Sequence, residues 1–203
     1  MDYANRTARE KELTAAVMLL FRDADIFSDP ARMQARLQVV LFDHFRTVYV
    51  EAASAVVGRK AEEATAAAML LVLAGMADTF ASTQSTTTAQ AFVDRTREMV
   101  NRGGPTPDLG SIFGDARAEN LAITETTRAA NAGTEAGAGK LVAAGLLARE
   151  AFLDAHWVTA GDASVCPVCA PLNGQPRSRW ESEQPGGPPA HPRCRCYLEY
   201  SGL

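Results

Sequence analysis

The sequence is poor in aromatic residues and carries no excess of positive charge. Aromatic side chains make up 7% of the 203 residues. Alanine instead recurs throughout, which is typical of packed helices. The formal net charge is −4 and the pI is near 5.4. A general nucleic-acid-binding protein usually has a basic surface, so this composition argues against that class and leaves room only for a local basic patch.

Long apolar runs are also lacking. No basic segment followed by an apolar run occurs near Met1, so we expect no signal peptide. The longest apolar run, 66–77, is interrupted by Gly75 and ends at Asp78, short of the roughly 20 residues that span a bilayer. We therefore expect a buried helix over this run, no membrane contact, and a soluble protein made in a reducing cytosol.

The spacing of hydrophobic residues predicts a mainly α (α+β) protein with a helical N-terminal bundle. Helices are expected over 5–25, from Pro30 to about 57, and over 60–81, 89–101, 111–131 and 141–155. Asp29 and Pro30 form a helix-start signal, and the polar run 82–88 is expected to be a loop or flexible tip. His44 lies on the apolar stripe of the second helix with no other ligand one turn away, which indicates a core histidine.

Two features of residues 111–140 bear on function. Glu125 and Arg128 are three residues apart on one helix face, which favours a solvated ion pair over a polar strip that anchors the next segment. The glycine-rich run 133–140 ends in Gly-Lys, but Leu141 stands where a phosphate-binding loop needs Ser or Thr, and no strand precedes it. We expect a glycine-loosened helix or a helical joint there.

All four cysteines lie between residues 166 and 196, together with one of the three histidines. Cys166 and Cys169 have the two-residue spacing of a zinc knuckle, and Cys194 and Cys196 would face the same side of a strand. Together with His191 they supply five donors for four positions, so Cys₄ and Cys₃His sites both stay open. One structural Zn²⁺ per chain is expected, with a disulfide or metal-free thiols as the alternatives.

The sequence around these donors predicts a small zinc-stapled β-hairpin module. Strands are expected over 156–160 and 194–200, and Asn173-Gly174 is a hairpin signal. The punctuation at 102–107 suggests a division into a helical region at 1–104, a second helical part at 105–155 and the module at 156–203. So short a segment usually needs a staple such as a metal.

We expect no enzymatic activity. A zinc-dependent nuclease or a nucleic-acid-binding module is the alternative, and a nuclease would need His156 or His191 with Asp162 as its partner. The segment has no paired histidines, and a catalytic zinc would leave one coordination position open. The arginines after Cys166 are nearly balanced by glutamates.

Several runs at matching spacing resemble a known family: 157–162, 166–174 and 188–196. Together they resemble the C-terminal signature of phage head morphogenesis proteins, the minor capsid proteins similar to the F protein of phage Mu. Thr124, Glu125, Arg128, Asn131 and Gly133 resemble the pattern that precedes the tryptophan. The resemblance covers about 110–198. Its matching positions are Glu125, Arg128, Asn131, Trp157, Asp162, Gly174, His191 and the four cysteines.

The resemblance implies a minor head protein of a tailed phage or prophage. Such a protein acts in procapsid assembly and head morphogenesis, near the portal, and its location is the virion or procapsid assembled in the bacterial cytoplasm. The expected partners are the portal and the major capsid or scaffolding protein, with a contact to packaged DNA as a further expectation. No catalytic role and no small-molecule substrate are implied.

Overall fold

The computed structural model describes residues 3–23, 29–102, 113–161 and 165–203. The helical body consists of α1 (Tyr3–Phe21), α2 (Pro30–Val57), α3 (Glu63–Arg102) and α4 (Asp115–Ala143). The C-terminal segment contains α5 (Arg149–Leu153), β1 (His156–Val158), a 3₁₀ turn (Ala170–Leu172), α6 (Arg177–Glu183) and β2 (Tyr197–Glu199). This confirms the predicted mainly α fold with a small C-terminal sheet.

Helix α2 is the centre of the helical body, and α1, α3 and α4 all pack against it. It begins as predicted, because the Asp29 carboxylate accepts hydrogen bonds from the backbone N–H groups of Ala31 and Arg32. Its buried side recurs at helical spacing and forms the core with residues of the other three helices. The buried residues of this stripe are Met33, Leu37, Leu41, Phe45 and Val48.

Helix α3 is one continuous helix of 40 residues, so the prediction of a loop over 82–88 is wrong. The hydroxyls of Thr83, Thr86 and Thr87 donate to backbone carbonyls four residues earlier at 2.9–3.0 Å. The polar side chains are thus satisfied within the helix and do not compete with its backbone hydrogen bonds. Buried Ser85 and Ala89 continue the inner face of α3 through the run.

The predicted burial of the apolar run in α3 is also wrong. Leu71 is 79% exposed and Val72 is 51% exposed, whereas Leu73 and Ala77 pack on α2. Helix α3 is long and apolar enough to cross a membrane, with only 22% of its most apolar window buried. A single helix of this kind is a weak indication of a membrane span. The exposed leucine and valine give α3 an apolar outer face.

Helix α4 runs without interruption through the glycine-rich segment, so the predicted loosening or joint is absent from it. Gly133 and Gly137 instead face the backbone of α2. A Cβ atom at Gly133 would lie 2.2 Å from the Tyr49 carbonyl oxygen, and one at Gly137 would lie 3.1 Å from that of Ala53. These glycines allow a close approach of the two helices.

The predicted helix over 141–155 is interrupted after Ala143. Gly145 adopts a φ of 71°, and the Leu146 N–H donates back to the Leu141 carbonyl at 2.8 Å. This is the Schellman arrangement that ends a helix at a glycine. The chain becomes helical again only over α5.

Strands β1 and β2 pair antiparallel, with Trp157 opposite Leu198. The Asn173-Gly174 turn does not join these two strands directly. Gly174 has a φ of 73° and the Gln175 N–H donates to the Leu172 carbonyl at 2.9 Å, as in a type II turn. The turn returns the chain along the other side of β1, where Gly174 N–H donates to the Trp157 carbonyl at 2.7 Å.

The structure places His44 in the core, as the sequence predicts. Its Nε2 lies 2.9 Å from the Thr126 hydroxyl, and burial, with a smaller contribution from Arg9, lowers its pKa from 6.5 to about 4. Folding therefore disfavours protonation of His44, so its contribution to stability is complete above pH 6.5 and is lost as the pH falls toward 4.

We expect the free energy of unfolding to fall by on the order of 3 kcal/mol through this group between pH 7 and pH 4. Urea denaturation of the wild type and of His44→Gln across this range measures the effect, because every other titrating group is common to both proteins. Equal pH slopes for the two proteins would show that His44 does not contribute.

Candidate metal centre

The first two donors are set by a tight turn. The Cys169 N–H donates to the Cys166 carbonyl at 3.1 Å and also lies 3.3 Å from the Cys166 sulfur. The 3₁₀ turn that follows continues this local winding of the chain. Both sulfurs are thereby held on the same side of the backbone, as the knuckle spacing predicts.

The other donors come from the chain that leads into β2. His191 Nε2 lies 2.9 Å from the Cys166 sulfur and 3.1 Å from the Cys169 sulfur, and the sulfurs of Cys169 and Cys194 are 3.9 Å apart. Four ligands around zinc, with Zn–S bonds of about 2.3 Å, require sulfurs roughly 3.8 Å apart. The thiols are free rather than joined in disulfides.

The five donors form two overlapping groups. The ligand atoms of Cys166, Cys169 and His191 all lie within 4.8 Å of one another, and so do those of Cys169, Cys194 and Cys196. Cys169 therefore belongs to both groups. The five donors line one cavity of about 20 Å³, which is the size of an ion or a water molecule. The cluster could hold a metal ion, and its cavity is too small for an organic substrate.

Hydrogen bonding and burial perturb the thiols in opposite directions. The hydrogen bond from Cys196 lowers the pKa of Cys194 to about 5, and backbone hydrogen bonds add to this effect. Burial raises the pKa of Cys169 to about 12, and donation to Cys194 raises the pKa of Cys196. Because metal ions bind thiolates, binding of a cation to this cluster would release protons from the thiols.

A row of polar residues on α4 fastens the donor segment to the helical body. The Arg193 N–H donates to the Thr124 hydroxyl at 2.9 Å, and the Thr127 hydroxyl donates to the Cys194 carbonyl at 2.5 Å. Asn131 completes the row one turn further on. The spacing of these three residues places them on one helix face, and that face supports the backbone around the cysteines.

The Asn131 side chain pairs with the free edge of β2 as a neighbouring strand would. Its amide nitrogen donates to the Cys196 carbonyl at 3.1 Å, and its oxygen accepts from the Leu198 N–H at 3.0 Å. Replacing Asn131 by alanine would leave both buried backbone groups unpaired. We expect a loss of about 3 kcal/mol in the free energy of unfolding, measured by chemical denaturation.

Asn120→Ala is the matched control for this prediction. Asn120 lies on the same helix and accepts a hydrogen bond from the exposed Arg193 side chain at 2.9 Å, where water can replace it. Its loss should cost less than about 1 kcal/mol. Equal effects of the two substitutions would contradict the role assigned to Asn131.

A second anchor comes from α1 and has no signal in the sequence. Arg6 donates to the Arg195 carbonyl at 3.0 Å and also to the Thr127 hydroxyl. Arg195, between the last two cysteines, pairs with buried Glu10 at 3.0 Å. These contacts join residues almost 190 positions apart, beyond the range of local patterns. The spacing of Thr124, Thr127 and Asn131, by contrast, could have been read from the sequence.

The remaining family-like residues have structural surroundings rather than a common site. Glu125 is only 6% exposed and pairs with Arg128 at 2.9 Å, so the expectation of a solvated pair does not hold for the carboxylate. Burial raises the pKa of Glu125, and Arg128 opposes this shift. Trp157 is buried against Trp180, with ring centroids 5.9 Å apart. Asp162 lies outside the described residues.

The histidines proposed for a nuclease have other surroundings. His191 directs Nε2 at the sulfurs and places Nδ1 2.8 Å from the Pro192 carbonyl oxygen. The Nε2 of His156, on β1, lies 3.9 Å from a carboxylate oxygen of Asp154. His191 is thus oriented as a metal ligand, and the proposed partner Asp162 is outside the described residues.

The part of the chain that matches a known family begins within α3 and includes all of α4 and the metal cluster. Residues 76–199 match the family described as phage Mu protein F like protein. The chain belongs to this family. No curated protein and no solved structure matches it. The Mu F-like match confirms the resemblance inferred from the sequence and assigns the chain to phage head morphogenesis, within a family of structural head proteins.

Proposed function

We propose that this Mu F-like protein is a minor head protein that is incorporated into the procapsid near the portal. The observation that carries the proposal is the family match over 76–199, which includes both the cysteine cluster and the α4 row that fastens it. The portal and the major capsid or scaffolding protein are the proposed partners. The mature location would be the virion or procapsid.

The metal centre is proposed to be a structural Zn²⁺ site. Thiolate and imidazole ligands are those that zinc prefers, and four protein ligands leave no open position for chemistry. The five donors would supply these four ligands, and their task would be to hold the 166–196 chain against α4. Elemental analysis of the purified protein should find about one zinc per chain.

The packing of the C-terminal segment on α4 supports a structural role for this site. We propose that 1–104 and 105–155 form the helical parts and that 156–203 is the metal-stapled module. The apolar core of the module contains Trp157, Leu172 and Trp180 and includes Ala138 and Leu141 of α4. The module would therefore be fixed to the helices rather than carried on a free linker. The boundary at 104/105 lies outside the described residues.

Isolation of procapsids from cells that produce the phage tests the proposed role. A tagged copy of this protein should be found with procapsids and with portal complexes, in a fixed ratio to the portal. A tagged cytosolic protein expressed at the same level serves as the control for trapping. Consistent absence from both particles would contradict a role in head assembly.

The geometry favours this proposal over a zinc-dependent nuclease or nucleic-acid-binding module. The cavity beside the donors holds about 20 Å³, too little for a nucleotide. The arginines around the cluster are paired: Arg193 with Glu119 at 3.0 Å and Arg195 with Glu10 at 3.0 Å. Added divalent metal should produce no DNA cleavage, and any retention of DNA should lack the steep salt dependence of phosphate contacts.

A further inference from the structure

A second and much larger cavity lies where the helical body meets the C-terminal segment. Its volume is about 540 Å³, within the range of roughly 300–1,000 Å³ typical of ligand pockets. It is lined by side chains from α1, the end of α2, α4 and β2. The metal cluster has its own cavity, which shares Ala160 and Arg195 with the larger one, but none of the five metal donors lines the larger cavity.

Three arginines dominate the charge of this large cavity. Arg6, Arg59 and Arg195 line it, against a single carboxylate, Glu199. Arg6 and Arg195 share one buried counterion, Glu10, at 3.4 Å and 3.0 Å. These five charged side chains therefore leave one positive side chain without a negative counterpart. Within the described part of the chain, exposed Arg59 makes no ion pair.

The rest of the wall has a polar part, formed by asparagine and threonine side chains, and an apolar part. Val56, Tyr197, Tyr200 and Leu203 form the apolar part, and Tyr197 is 43% exposed. Such a wall can cover an aliphatic or aromatic group, while the guanidinium of Arg59 can pair with a carboxylate in bidentate geometry. The cavity thus suits a ligand with one negative charge next to an apolar group.

We propose that this cavity binds an acidic peptide segment of a protein partner, with a carboxylate at Arg59 and a neighbouring apolar side chain against Tyr197 and Tyr200. That the partner is an assembly partner rests on the proposed function. One carboxylate matches the one arginine of the cavity, Arg59, that has no ion pair in the described part of the chain. Nucleic acid would additionally meet a chain of net charge −4.

Titration of the zinc-loaded protein with two short peptides tests this site. The probes are N-acetyl-leucyl-aspartyl amide and its asparaginyl analogue, which has nearly the same shape and no charge. NMR chemical shifts of residues around the cavity report binding. We expect the aspartyl peptide to bind about tenfold more tightly, because only the carboxylate forms charge-assisted hydrogen bonds with Arg59.

Arg59→Gln should weaken binding of the aspartyl peptide about three- to fivefold, as expected for one partly exposed ion pair. Arg179→Gln is the matched control, since Arg179 is an exposed arginine on α6 that does not line the cavity. It should leave the affinity unchanged. Inorganic phosphate should bind more weakly than the aspartyl peptide.

Three results would overturn the site: no saturable binding of the aspartyl peptide in the millimolar range, equal affinity for both peptides, or tighter binding of phosphate. The assay uses only the purified protein, so it does not depend on incorporation into heads. Peptide binding without procapsid association would contradict the proposed function and keep the site. Procapsid association without peptide binding would contradict the peptide site and keep the proposed function.

Discussion

Replacing Cys169 by serine should abolish metal binding and unfold the C-terminal segment. Cys169 is the donor common to both groups of ligand atoms, so its loss breaks each group. It is also 1% exposed and lies in the apolar cluster of the segment, where a serine hydroxyl would be poorly solvated. Binding of structural zinc contributes roughly 10–16 kcal/mol in small zinc-finger peptides. We expect the free energy of unfolding of the segment to fall by several kcal/mol. The loss should be smaller than in the peptides, because the segment is also held by its packing on α4.

The helical body should survive this substitution. Its core is formed by residues of α1 to α4, among them Leu13, Leu41, Phe45 and Val93, and contains no cysteine. The cysteines lie in a second apolar cluster with Trp157, Leu172 and Trp180, to which the helical body contributes residues of α2 and α4. A chain with two cores of this kind should show loss of tryptophan burial before loss of helix.

Metal content, tryptophan fluorescence and far-UV circular dichroism check this expectation in one experiment. Val168→Ser is the matched control, because Val168 lies between Cys166 and Cys169 and is 48% exposed. It should retain zinc and the wild-type melting profile. A chelator added to the wild type should reproduce the change in Cys169→Ser. Full zinc content and unchanged melting of Cys169→Ser would refute the metal staple.

The donors of the metal cluster could be predicted because their information is local. A two-residue spacing forces two sulfurs to one side of a turn. Cys194 and Cys196 do lie close together, but the strand predicted over 194–200 is limited to β2, so strand alternation is not the reason. The partners that hold this segment could not be predicted in the same way. Arg6 and Glu10 are separated from Arg195 by most of the chain, and their contacts arise only from the packing of α1 on α4.

The fold class was predictable and several element boundaries were not. Alanine-rich periodicity indicates helices, but local propensity suggested a loop over 82–88, where hydroxyl groups bonded to the preceding turn keep α3 intact. The apolar run of α3 suggested burial, yet Leu71 and Val72 face outward. Composition shows that a helix is apolar but does not show which of its faces packs against another element.

The glycines of α4 also show that the sequence of a helix does not reveal what packs against it. Sequence patterns treat a glycine within a helix as a weakness that costs roughly 1 kcal/mol relative to alanine. Gly75 of α3 fits that rule, because a Cβ atom added there would meet nothing within 4 Å. Gly133 does not, because its Cβ would lie 2.2 Å from a carbonyl oxygen of α2, and backbone atoms cannot rotate away as a side chain can.

Gly133→Ala and Gly75→Ala should therefore change stability in opposite directions. We expect Gly133→Ala to lower the free energy of unfolding by about 3 kcal/mol or more, since α4 must move away from Tyr49. The same movement would displace nearby Asn131 from the edge of β2. Gly75→Ala should raise the free energy of unfolding by up to about 1 kcal/mol. Urea denaturation of the zinc-loaded proteins measures both, and a stabilising effect of Gly133→Ala would show that α2 and α4 are not in backbone contact.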